Sequence, residues 1–182
     1  MSKVIVLTGS PSAQSRTAAL SELITRRLES AGHTAATLRV RDLPAEALIG
    51  ADAEHPAIVE AIAAIEAADG LVVASPVYKA AYSGVLKTLL DLLPQRALTG
   101  KAVLPVVTGG TPAHLLAIDY ALRPVLVSLG AHHVVKGCFV LDQHITLDAD
   151  GMTLDPAGAE QLHAAVDLFA EVLGARRELL EV

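Results

Sequence analysis

Residues 7 to 20 read LTGSPSAQSRTAAL, and they place Ser10, Ser12, Ser15, Arg16 and Thr17 between an apolar run and a helical pattern. A hydroxyl donates one proton and offers two lone pairs, and a guanidinium adds a fixed fork of donors with a permanent charge. The first N–H groups of a helix have no partner and attract an anion whatever side chains surround them. Together these suit a terminal phosphate monoester, whose three outer oxygens ask for several donors and a countercharge. The same residues would serve as an ordinary serine N-cap with polar surface neighbours. The glycines of a dinucleotide fingerprint and the Gly-Lys-Ser/Thr ending of a Walker loop are both missing, which argues against ATP and a Rossmann-bound dinucleotide.

Two later stretches have related character. In ASPVYKAAYSGVLKTLLDLL (74–93), Pro76 fixes φ and lacks a donor, so the backbone at 75–79 is a rigid edge whose other amides can be aimed at a flat polar heterocycle. Tyr78 would cover or flank such a ring, and Lys79 would meet phosphate charge or simply be solvated. Ser83 and Gly84 look like the start of the next helix. In VTGGTPAH (107–114), Gly109 and Gly110 allow close backbone approach, and Thr111-Pro112 begins a helix. Taken singly, each is also a plain strand-to-helix turn. FMN joins a flat heterocycle to a terminal phosphate.

The elements that must position these residues alternate regularly. Apolar, β-branched runs at 4–10, 34–40, 70–78, 102–110 and 132–141 are each followed by a helical pattern. Strand-helix alternation requires crossovers, and crossovers make a parallel sheet covered on both faces. The expectation is one α/β domain over 1–182, a flavodoxin-like three-layer sandwich with a five-stranded parallel sheet in the order 2-1-3-4-5. That order puts a ligand at the carboxyl ends of strands one, three and four, where the three stretches lie. The segment 148–158, DADGMTLDPAG, reads as a turn-rich excursion before a final helix.

Composition narrows the alternatives. With 52% apolar residues, 19% charged residues and a net charge of −6, the chain has a core to bury and no basic field for nucleic acid or anionic lipid. No signal segment or membrane-length run is apparent, so cytoplasm is expected. The one cysteine, Cys138, reads as a buried strand residue, and the seven histidines lack metal-ligand spacing, so no metal is expected. His114, near the TGG end, fits a contact with nicotinamide or with a partner, or a partly exposed helix position.

The stretches GSPSAQSRT, ADGLVVASPVYKAAYSGVLKTLLDLLP and LPVVTGGTPAHLLAIDYALRPVL closely resemble the NADPH-dependent FMN reductases of flavodoxin-like fold. The similarity is greatest to the reductase component of two-component alkanesulfonate monooxygenase systems, and it covers most of residues 4 to 130. It implies that Ser10, Ser15, Arg16 and Thr17 hold the FMN phosphate, that Pro76, Val77, Tyr78 and Lys79 line the ring, and that Thr108, Gly109 and Gly110 complete its edge. It further implies NADPH as reductant, a monooxygenase partner and a homodimer or homotetramer. Ser12 stands where many members carry arginine, so the phosphate cup is expected to be weaker or rearranged.

A helix is expected over 112–129, and in it Pro124 presses on the carbonyl of Tyr120. The fault can be absorbed by a simple kink or by a π-bulge, and the reductase subgroup has a tyrosine insertion at this place. The helix is apolar around most of its circumference; with GVLKTLLDLL it suggests a self-association face beside the flavin. All three tyrosines fall in the site regions, there are only two phenylalanines, and there is no tryptophan. Few stacking platforms suit a flavin that binds, takes hydride from NADPH and leaves, with Tyr120 as a gate rather than an acid. The rival expectations are an FMN-retaining quinone, azo or chromate reductase and a flavodoxin-like electron carrier.

Overall fold

The structure, a computed structural model, describes residues 1–149 and 151–180, with side chains through 175. Successive strands are β1 (Lys3–Thr8), β2 (Thr34–Arg39), β3 (Gly70–Tyr78), β4 (Ala81–Tyr82), β5 (Ala102–Gly109), β6 (His133–Val134), β7 (Cys138–Leu141), β8 (Ile145–Asp148) and β9 (Gly151–Leu154). The α-helices are α1 (Arg16–Ser30), α2 (Ala45–Ile49), α3 (Pro56–Glu66), α4 (Gly84–Leu90), α5 (Arg123–Ser128) and α6 (Pro156–Leu180). The main sheet runs β2-β1-β3-β5-β6, and β7 pairs with β5 beyond β6. The five expected strands therefore take the expected order and are parallel.

Side-chain alternation along the central strands sorts the layers. Ile5, Leu7, Leu71, Val73 and Val103 face one layer, where they pack with Ile58, Ile65, Leu86, Leu89, Leu90, Leu122 and Leu126 of the α3, α4 and α5 side. Val4, Val6, Val72, Ala74, Leu104 and Val106 face the other, against Leu20, Ile24, Leu28, Leu162, Val166 and Phe169 of α1 and α6. Apolar residues on both faces are what a central parallel strand requires. β2 departs from that pattern: it lies at the sheet edge, and none of its residues is fully buried.

Three expectations need correction. The fifth run, 132–141, is two short strands rather than one. They are separated at Gly137, where an added Cβ would lie 2.6 Å from Ile118 Cγ2, so the segment that carries Tyr120 packs into the gap. The helix expected over 112–129 is not continuous: a 3-10 turn covers Pro112–His114, a π-helical turn covers Ile118–Leu122, and α5 follows. The fault set by Pro124 is thus absorbed as a π-bulge and not as a kink in a regular helix. The leucines of GVLKTLLDLL do not form a self-association face, because Leu86, Leu89, Leu90 and Leu93 are interior to this chain.

The excursion at 148–158 is the β8–β9 hairpin, fastened to the start of α6. Asp155 Oδ1 accepts from Gly158 N at 2.8 Å, and Oδ2 meets His144 Nδ1 at 2.6 Å. The Gly158 amide first, and then His144, hold this carboxyl below the ordinary aspartate range. A carboxyl lowered in the folded state stabilises above its unfolded value and loses that contribution as pH falls through its folded value. Thermal denaturation followed from pH 6 downward should show stability falling below about pH 4. Asp155→Ala should be less stable at neutral pH and should show a shallower acid loss.

Candidate functional site

The sheet register sets the ends of three strands side by side. Thr8 pairs with Ala74, Ala74 with Val106 and Pro76 with Thr108, so the loops after β1, β3 and β5 open at one edge. In the first loop Ser15 is extended (φ −134°) and its Oγ accepts from Ala18 N at 3.2 Å, capping α1. The N-cap role leaves an anion role open, since an accepting hydroxyl still has its own proton to donate. Ser10 Oγ likewise accepts from Ser12 N at 3.3 Å. Ser12 Oγ donates to the Gln14 carbonyl at 2.8 Å.

The two other loop residues are engaged elsewhere. Arg16 Nε donates to the Ile145 carbonyl at 3.1 Å, which ties the loop to β8. Thr17 and Thr108, drawn from two of the three stretches, meet each other: their hydroxyls lie 2.6 Å apart and are buried. That bond fixes the start of α1 to the end of β5.

At the second edge Pro76 is buried, Val77 half-buried, and Tyr78 and Lys79 exposed. The chain then folds back, Val77 pairing with Tyr82 and Tyr78 with Ala81. Lys79 and Ala80 make the two-residue connection with φ of 51° and 63°. Both are left-handed, as the twist of a tight hairpin demands, and neither is the glycine or asparagine that usually supplies it. No hairpin signal is present in the sequence for that reason. Ala80→Gly should raise stability by about 1 kcal/mol, moving the midpoint of thermal unfolding up by roughly 2–4 °C.

At the third edge Gly109 faces Phe139, whose Cζ would lie 3.0 Å from an added Cβ. The space above Gly110 is open, with Asp142 Oδ2 at 3.8 Å as the nearest such neighbour. Thr111 Oγ1 accepts from Ala113 N at 3.3 Å and starts the 3-10 turn that carries His114, which is half-buried. The π turn packs against β4, the partner strand of Val77 and Tyr78, and Tyr120 on that turn is 79% exposed. The structure thus sets the three predicted stretches at the carboxyl ends of neighbouring central strands, while turning the side chains of Thr17 and Thr108 inward.

Sequence reasoning missed the contact that carries the first loop. Ser83 Oγ donates to the Gly9 carbonyl and accepts from Leu86 N at 3.1 Å, and Ser83 N donates to Ser75 Oγ at 2.9 Å. Ser75 Oγ donates to the Pro76 carbonyl at 2.9 Å. Gly9 N reaches the Ala74 carbonyl at 2.8 Å, and a Cβ at Gly9 would lie 2.4 Å from Leu86 Cβ. The one available signal was the helix start at Ser83-Gly84; its partner is 74 positions away.

The family described as NADPH-dependent FMN reductase matches residues 2–146. This chain belongs to that family. It is 44% identical to the FMN reductase (NADPH) of Pseudomonas putida strain KT2440, over 95% of this chain and 89% of that protein. It is 43% identical to the FMN reductase (NADPH) of Escherichia coli K12, over 96% of this chain and 91% of that one. Among solved structures, the apo form of an NADH:FMN oxidoreductase (EMOB) superposes with a TM-score of 0.86 at 41% identity, covering 94% of this chain and 90% of that chain. Similarity to family members therefore runs well past the motif-bearing 4–130 and includes the hairpin and the start of α6.

The family's flavin fits the donors present. A phosphate can be met by the first amides of α1 and by the hydroxyl protons of Ser10 and Ser15, and a ring by the Pro76–Tyr78 and Gly109–Gly110 backbone.

Proposed function

We propose that this protein is an NAD(P)H-dependent FMN reductase that handles FMN as a passing substrate and supplies it, reduced, to a flavin-dependent monooxygenase acting on sulfonates or related organosulfur compounds. The observation that carries this reading is an open site with a hydroxyl-lined loop at the start of α1 and little aromatic cover. Tyr78 and Tyr120 are the tyrosines exposed at its rim, 50% and 79% respectively, and the chain has no tryptophan. Stacking contributes much to flavin retention, so such a site favours exchange.

Bound there, FMN supplies the redox chemistry, accepting two electrons from a reduced nicotinamide. The chain's own part is placement. Ser10, Ser12, Ser15 and the first turn of α1 anchor the phosphate, Pro76 to Lys79 and Gly109–Gly110 hold the ring edge, and Thr17 with Thr108 locks the two supports together. Tyr120 stands at the open side as a gate. Leu115, Leu116, Tyr120 and Val127 are exposed on and beside the π turn, which supports a homodimer or homotetramer formed there. Among the described residues no helix is long and apolar enough to cross a membrane, and the cytoplasm is the proposed location.

The test is oxidation of NADPH and of NADH by purified protein with and without added FMN, beside filtration to measure retained flavin. Colourless protein that turns over only when FMN is added is the expected result. Yellow protein that keeps its flavin and reduces quinones without added FMN would overturn it in favour of a flavin-retaining oxidoreductase. Flavin that is held without nicotinamide turnover would indicate an electron carrier instead.

A further inference from the structure

Between the first loop and the end of β2 lies a small pocket of about 150 Å³, lined by Thr8, Ser10, Ser12, Ala13, Ala18, Arg39, Arg41 and Asp42. It is continuous with the phosphate cup, since Ser10 and Ser12 belong to both. Thr8 Oγ1 is one of two buried side-chain polar atoms among the described residues without a hydrogen-bond partner, and its residue is 2% exposed. An unpaired buried hydroxyl is unfavourable, and natural folds rarely keep one without a ligand or an ordered water to meet it.

The pocket also adds cationic charge from a second element to that of the cup. The loop's own cation, Arg16, has its Nε on the Ile145 carbonyl, and Ser12 contributes no charge. Arg39 and Arg41 reach the pocket from the far end of β2. Arg39 pairs with Glu22 across to α1, which holds it in place. Arg41 is one-third exposed and pairs at 3.6 Å with Asp42, its neighbour in the chain and also a lining residue. Such a long pair with an exposed partner contributes little, so a doubly charged oxyanion can take the guanidinium from it.

We propose that this pocket is the cationic half of the anion site, in which Arg41, helped by the Thr8 hydroxyl, binds a phosphate monoester. The inference rests on the flavin-reductase reading. Two molecules of that reaction carry such a group: FMN at its 5′ end and NADPH at its ribose 2′ position. Continuity with Ser10 and Ser12 assigns the pocket to FMN.

The experiment is equilibrium binding to the full chain, with FMN and riboflavin followed by flavin fluorescence and with NADPH and NADH by calorimetry. Wild type is compared with Arg41→Ala, Arg41→Lys and Thr8→Val. Arg41→Ala should weaken FMN by about tenfold or more while leaving riboflavin unchanged, and Arg41→Lys should recover part of that loss. Thr8→Val should also weaken FMN yet unfold at the same or a higher temperature than wild type, because it removes an unpaired hydroxyl. A structural role for Thr8 would instead lower both. Loss of NADPH relative to NADH with FMN unchanged would keep the phosphate site and reassign it to the nucleotide. FMN and NADPH binding unaffected by Arg41→Ala would overturn the proposal alone. Wild type that fails to bind FMN would overturn the reductase reading and this site with it.

Discussion

Ser83→Ala should lower stability by about 2–6 kcal/mol, because each of two buried polar groups left without a partner costs about 1–3 kcal/mol. The groups are the Gly9 carbonyl and the Leu86 amide, and both lie in the fully buried junction between the first loop and α4. For a domain of this size the midpoint of thermal unfolding should fall by roughly 5–15 °C. The functional effect should appear in KM for FMN more than in turnover at saturation, since Ser83 positions the loop and touches no reacting atom. Ser83→Thr, which keeps the hydroxyl, should recover most of the KM effect. Loss of stability with an unchanged KM would show that the loop does not depend on this junction.

Gly9→Ala should be nearly as severe through a different cause. Its new Cβ would sit 2.4 Å from Leu86 Cβ and 3.1 Å from Leu86 Cα, and the latter is backbone that cannot swing aside. Overpacking of a tight interior typically costs about 1–3 kcal/mol, and more where backbone must move. The displacement would push the loop away from α4 and break the Ser83 bond as well. The double variant should therefore be less destabilised than the sum of the two single ones, since the first change already removes what the second would disturb. A strictly additive pair in calorimetry would show that the two contacts are independent.

These junctions mark the boundary of what the linear pattern could reveal. Strand order was legible because it follows from apolar runs such as 70–78 and from the chirality of crossovers, and the same order sets the ends of β1, β3 and β5 side by side. The fault at Tyr120 was legible because a proline acts on the carbonyl four residues before it. Whether it became a kink or a π turn was not, since the outcome depends on Ile118 finding space over Gly137, part of another strand. The Lys79–Ala80 hairpin was hidden because its left-handed residues are held by β3 and β4 pairing rather than by their own preference. Thr17 and Thr108 were both singled out, but as separate ligand contacts. Their mutual bond joins positions 91 apart, and nothing in either neighbourhood announces it.

Arg123 joins the π turn to the broken last strand. Its Nε holds Asp119 at 2.9 Å, and its terminal nitrogens donate to the carbonyls of Val134 and Val135 at 3.1 and 3.3 Å. Relaxing the wide turn into regular helix would rotate the residues on one side of it by about 100° relative to the other. That rotation would leave the i,i+4 pair of Asp119 with Arg123 together but carry the guanidinium off the Val134 and Val135 carbonyls and Ile118 out of the gap at Gly137. The surplus residue is therefore bolted in rather than slack. The segment bearing Tyr120 and the outer strand are therefore coupled, and their protected amide protons should share one opening free energy in hydrogen exchange.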